Sequence, residues 1–198
     1  KQAIKWFTKA ANQEHAWSQN NLGLCYEYGD GVRKNDKKAV EWYTEAAEQG
    51  VATAQYKLAL HYEIGSGVKE DIVKAFEWYS KAAEQGIAEA QYALATFYDM
   101  GEIVNEDPVK AVEWYKKSAK QGFADAQYNL AICYEEGKGV KKSYVKAVEC
   151  YKKAAEQGNV LAFNNLGVCY EKGIGTKKDT SKAFECYRKG AELGDATA

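Results

Sequence analysis

Five cysteines and two histidines are the residues of this chain best suited to nucleophilic or metal chemistry, and their spacing assembles neither. His15 and His61 lie outside any H-E-x-x-H pattern, and no Cys–His spacing fits a zinc site. Cys25 and His61 share no motif that would join a thiol nucleophile to a base. Gly65-Ser-Gly67 has the look of a phosphate loop but lacks the following G-K-[ST], and its place between two helices marks it as a turn. The carboxylates recur as a row instead of forming one acid–base pair. These patterns assign no catalytic, cofactor-binding or metal-ligating residue.

The cysteines obey a period. Cys25, Cys133 and Cys169 share one register, while Cys150 and Cys186 take the slot that Trp42, Trp78 and Trp114 fill in earlier copies. An odd number of cysteines that exchange with core residues reads as buried, reduced thiols. The Cys133–Cys150 pair, on helices expected to face one another, is the one disulfide candidate. Free thiols favour a reducing, cytoplasmic setting, and no targeting segment is visible in the sequence.

The elements that position these residues follow from a repeat of 36 residues. Leu22, Leu58, Leu94, Leu130 and Leu166 fall one period apart, each followed four residues later by Tyr26, Tyr62, Tyr98, Tyr134 and Tyr170. Ala39, Ala75, Ala111, Ala147 and Ala183 keep the same step, as do Tyr43, Tyr79, Tyr115, Tyr151 and Tyr187. A fixed period in this range means a solenoid whose units bury their apolar faces only against neighbours. The expected division is 1–14 as the second helix of a truncated unit, then full repeats at 16–50, 52–86, 88–122, 124–158 and 160–194. Residues 196–198 would open a further unit, so the chain reads as one continuous domain taken from a longer protein.

Each unit predicts two helices. The first ends at a glycine that permits a left-handed turn; the second begins at Asn35, Asp71, Asp107, Ser143 or Asp179, all strong N-caps. Pro108 suits the first helical position, and Gly50, Gly86, Gly122, Gly158 and Gly194 close the units. Ile103 and Thr176 break the Gly-x-Gly-Val pattern, so those two loops are expected to turn differently. Glu77–Lys81, Glu113–Lys117, Glu149–Lys153 and Glu185–Lys189 are i,i+4 pairs that account for a solvated outer face.

The chain is 46% hydrophobic and 28% charged with a net charge of −1. Such a balance gives no field for nucleic acid, and the broken apolar runs exclude direct membrane insertion.

The Leu-x3-Tyr and Ala-x3-Tyr-x2-Ala patterns resemble the tetratricopeptide repeat, whose unit is shorter. The Gly-x-Gly-Val loop at Gly65 to Val68, followed by Lys74-Ala75, Trp78-Tyr79 and Lys81 to Gly86, is similar to the Sel-one-like repeat family over the entire chain. That resemblance implies an all-α, right-handed superhelical solenoid of antiparallel helix pairs, acting as an adaptor.

The related solenoids line their concave side with first helices. By position, that face here collects Trp17, Tyr56, Tyr92 and Tyr128, then Leu24, Leu60, Thr96 and Ile132, extended by Ile64 and Met100. Beside them runs an acidic row of Glu27, Glu63, Asp99, Glu135 and Glu171. Apolar surface with a polar rim marks a partner site, although periodic tyrosines serve a stacked core equally well. The expectation is a non-catalytic scaffold for a protein or peptide with apolar anchors and basic flanks. The alternative is a regulatory or substrate-docking segment of a larger enzyme or signalling protein.

Overall fold

The computed structural model describes residues 2–11 and 13–195. Among them are eleven helices and no strand. α1 (Gln2–Ala11) precedes the pairs α2 (Ala16–Tyr28) and α3 (Asp36–Glu48), α4 (Ala52–Ile64) and α5 (Ile72–Glu84), and α6 (Ala88–Met100) and α7 (Pro108–Lys120). The last two pairs are α8 (Ala124–Glu136) with α9 (Tyr144–Glu156) and α10 (Val160–Lys172) with α11 (Thr180–Asp195). The chain divides into two compact units, residues 1–91 and 92–198.

In the first unit the helices of a pair run antiparallel: Gln19, early in α2, meets Glu45 late in α3 and Gln49 just beyond its end, whereas Tyr43, nearer the start of α3, donates to Glu27 late in α2. The core is built from Ala39, Tyr43, Ala46, Ala54 and Leu58, every one buried. The second unit repeats the scheme around Tyr115, Leu130, Ala147, Tyr151 and Leu166. Alanines at the helix crossings let backbones approach, and each fully buried tyrosine fills the space this leaves.

The loops follow from two glycines with different duties. Gly65 ends α4 in the left-handed region at φ 69°, its N–H donating to the His61 carbonyl. Gly67 instead lies so close to the preceding second helix that a Cβ would come 2.4 Å from the Asp36 carbonyl group. Gly139 and Gly175 press in the same way on the backbones of Pro108 and Tyr144. The loop containing Thr176 keeps both left-handed glycines, Gly173 and Gly175, so it turns like the others, contrary to expectation. The loop containing Ile103 keeps the first, Gly101, and lacks the second left-handed residue.

All five N-caps form: Asn35, Asp71, Asp107, Ser143 and Asp179 accept from the N–H three residues on, at 3.0 to 3.4 Å. Gly50, Gly86, Gly122 and Gly158 turn left-handed after their helices. α11 differs, running through Gly194 to Asp195. The outer face also departs from simple Glu–Lys pairing. Lys81 and Lys117 sit over the Trp78 and Trp114 rings at 3.9 and 3.5 Å from the centroid, and the anticipated i,i+4 pairs are not among the ion pairs of the described residues. At an exposed site a cation–π contact is worth about 0.5–1 kcal/mol, no less than an exposed ion pair.

Candidate functional site

A first helix shows one side to the core and the other to solvent. In α4, Ala54 and Leu58 are fully buried, while Ile64 remains 69% exposed. Trp17 on α2 is 59% exposed and Met100 on α6 is 66% exposed. Leu24, Leu60, Thr96 and Ile132 are half-buried.

The three tyrosines on this side have a double allegiance. Tyr56 tilts against the core ring of Tyr79 at 6.0 Å, Tyr92 against Tyr115 at 6.0 Å and Tyr128 against Tyr151 at 5.9 Å. Tyr92 also touches Phe123 at 5.1 Å. Each ring therefore braces the core tyrosine of its own repeat while staying half-exposed.

The acidic row has a structural employment that its sequence pattern did not suggest. The four fully buried tyrosines of the second helices, and the less buried Tyr187, donate their hydroxyls to the carboxylate sixteen residues before: Tyr43 to Glu27, Tyr79 to Glu63 at 2.5 Å, Tyr115 to Asp99 at 3.4 Å, Tyr151 to Glu135 at 2.6 Å and Tyr187 to Glu171 at 3.0 Å. A buried hydroxyl without a partner would cost about 1–3 kcal/mol. Burial first, then the adjacent carboxylate, pushes the Tyr43, Tyr79 and Tyr151 hydroxyls far above the ordinary tyrosine range. The repeated Glu-to-Tyr spacing was the available signal.

Some of these carboxylates carry a second partner. Lys57 Nζ lies 2.9 Å from Glu27 and 3.0 Å from the Tyr28 hydroxyl. Burial pushes Glu27 up, but hydrogen bonds from Tyr43 and Lys57 together hold it below the usual carboxylate range. Burial pulls Lys57 down, and Tyr28 and Glu27 more than offset it. In the second unit Lys138 pairs with Asp99 at 2.7 Å and with Glu106 at 3.1 Å. On α8 and α10 the residue equivalent to Lys57 is an asparagine: Asn129 donates to the Tyr115 hydroxyl and Asn165 to that of Tyr151, both at 3.2 Å.

Beneath this face runs a ladder of buried amides. Gln55, Gln91 and Gln127 each donate at 3.1 Å to a carbonyl ending the preceding second helix, at Ala47, Ala83 and Ala119. They thereby satisfy acceptors that a helix C-terminus leaves open. Gln49, Gln85 and Gln157 donate to Gln19, Gln55 and Gln127 in turn.

The chemically reactive side chains are spent on structure. His15 caps α2 by accepting from the Ser18 N–H, and His61 is buried with Nδ1 2.8 Å from the Ser66 carbonyl. The five cysteines, Cys133 and Cys150 included, are free thiols. Burial pushes Cys133 and Cys169 up to about 11, which disfavours the nucleophilic thiolate. No group of three or more metal-ligating side chains occurs among the described residues, nor is any described helix long and apolar enough to cross a membrane.

The family model for the Sel1 repeat matches residues 1–15, 18–51, 52–87, 88–123, 124–159 and 161–195. The chain belongs to the Sel1 repeat family. Among solved structures, this Sel1 repeat chain is similar to a protective antigen of uropathogenic Escherichia coli with the SLR fold. Identity is 39% and the TM-score 0.90, over 98% of this chain and 42% of that one. The chain thus spans less than half the length of that relative. A Sel1 repeat protein from Oxalobacter formigenes is 37% identical, with TM-score 0.86, over 93% of this chain and 74% of that one. Cysteine-rich protein B of Helicobacter pylori is 30% identical, with TM-score 0.52, over 68% of this chain and 96% of that one. None of the curated proteins matches. The all-α repeat fold of the family is thus established for this chain, and Sel1 repeat proteins are typically protein-interaction scaffolds.

Proposed function

We propose that this Sel1 repeat chain is a non-catalytic scaffold that grips a protein or peptide partner on the solvent side of its first helices. The observation that carries the reading is the exposure of Trp17 and Ile64 in the first unit and of Met100 in the second, beside half-buried tyrosines. Large apolar side chains held out at repeated positions cost solubility unless a partner covers them.

Tyr56, Tyr92 and Tyr128 supply pre-set ring edges for apolar anchors, because the core tyrosines behind them restrict their motion. Leu60 adds to the apolar side chains of the first unit, and Thr96 and Ile132 to those of the second. For basic flanks of the partner, Glu63 and Glu135 are the receptive carboxylates, since Glu27 and Asp99 already hold Lys57 and Lys138. The raised thiols, three of them buried and two half-buried, and the employed histidines support a role without catalysis.

Truncating the exposed anchors tests this without touching the core. The double variant Trp17→Ala with Ile64→Ala and the single variant Met100→Ala are expected to weaken partner binding at least tenfold in a titration while circular dichroism stays that of the parent. Unchanged affinity in both folded variants would refute the reading.

A further inference from the structure

The tryptophan slot on the second helices holds cysteine in the last two repeats, Cys150 and Cys186. Trp78 and Trp114 pack against the cores of their respective units, each beneath a lysine, Lys81 or Lys117. In the last repeat the indole is replaced by Cys186, yet the equivalent lysine, Lys189, is retained. A second change accompanies the first. The buried glutamine of the amide ladder, present as Gln19, Gln55, Gln91 and Gln127, is replaced there by Phe163.

The two changes meet in one place. Phe163, Cys186 and Lys189 line a cavity of about 240 Å³ between α9, α10 and α11, together with Lys152, Tyr170 and Lys182. Its floor is apolar, from Phe163, Leu166 and the buried thiol of Cys186. Three lysines and two carboxylates ring it: Lys152 and Lys182 stand 5.7 and 5.5 Å from the Tyr170 ring centroid, and Lys189, Glu156 and Glu185 complete the lining. A closed apolar cavity of roughly 150 Å³ already accepts benzene; this one is open to solvent on its charged side and has room for a larger flat ring system.

We propose that this cavity is a binding site for a small planar aromatic carboxylate of about indole size. The ring takes the position that an indole occupies in other repeats, with Phe163 and Cys186 beneath it and Lys189 over its face. Its carboxylate meets the lysine rim. A shaped apolar pocket with a few converging polar groups is the usual form of a small-molecule site, and a lysine over an aromatic face adds cation–π attraction. The site lies apart from the first-helix face and does not depend on the scaffold reading.

The test titrates the chain with indole-3-acetate, followed by ligand-observed NMR, with neutral indole as a second probe. Saturable binding of indole-3-acetate is expected, at least threefold tighter than indole. Cys186→Trp should fill the cavity, abolish binding and raise the melting temperature by about 2–4 °C, a shift typical of a modest stabilisation in a chain of this size. The surface variant Lys152→Ala with Lys189→Ala, which leaves the core intact, should weaken indole-3-acetate at least fivefold and indole less. Absence of saturable binding would overturn the proposal, as would binding that both variants leave unchanged.

Discussion

Tyr43 in the first unit and Tyr151 in the second occupy the same repeat position, are buried to the same degree and donate to the same kind of carboxylate. Their surroundings part at the third member. Glu27 is neutralised by Lys57, whereas beside Glu135 stands Asn165, which donates to the tyrosine hydroxyl and brings no charge. The repeat therefore specifies a buried hydroxyl and an acceptor, and leaves the charge of the exposed side free to vary. That freedom lets one architecture present faces of different electrostatic character without altering its core.

The largest effect should come from what the two sites share. Tyr43→Ala and Tyr151→Ala each empty a fully buried position and should cost about 3–5 kcal/mol in urea unfolding. Markedly unequal costs would mean that the third member, not burial, dominates.

A smaller effect separates them. Lys57→Met leaves Glu27 a half-buried carboxylate without its cation and should cost about 1–3 kcal/mol, while Asn165→Ala removes one neutral hydrogen bond and should cost about 0.5–1.5 kcal/mol. Equal losses would erase the distinction drawn between the two sites.

The pH dependence is the mildest probe. Glu27 is held below its ordinary value of 4.5, so its contribution is present above that pH and fades as pH falls through the lowered value. Lys57→Met should flatten the acid limb of a stability–pH curve. The tyrosines titrate from an ordinary value of 10.0 and are raised, so their contribution is complete below pH 10 and is lost as pH climbs beyond it. Cys133 and Cys169, raised from 9.0 to about 11, act in the same direction from pH 9 upward. Tyr151→Phe should blunt the alkaline limb, with unfolding followed by fluorescence.

Much of the fold was legible because it rests on short-range rules applied repeatedly. The N-cap residues, Pro108 and the first glycine of each loop announce helix ends through their own backbone preferences. What escaped were partnerships across helices. Nothing local in Glu63 says that it receives the Tyr79 hydroxyl, or in Gln55 that it closes the end of the helix before it. The second glycine of each loop was read as turn chemistry, but Gly67 answers to the crowding of another helix. On the candidate face, Trp17, Ile64 and Met100 were placed by position alone; Tyr28, which shares the repeat position of Ile64 and Met100, could have been placed the same way, whereas its partner Lys57 carries no periodic signal. Position along a helix reveals which way a residue faces; it does not reveal what stands opposite.

The most direct test of the scaffold reading is site-specific photo-crosslinking, with a photoreactive phenylalanine analogue placed singly at Trp17, Ile64 or Met100 and, as controls, at the exposed second-helix residues Val73 and Val109. The account predicts that a bound partner is captured from the three first-helix positions and not from the two controls. Capture confined to Val73 and Val109 would contradict it.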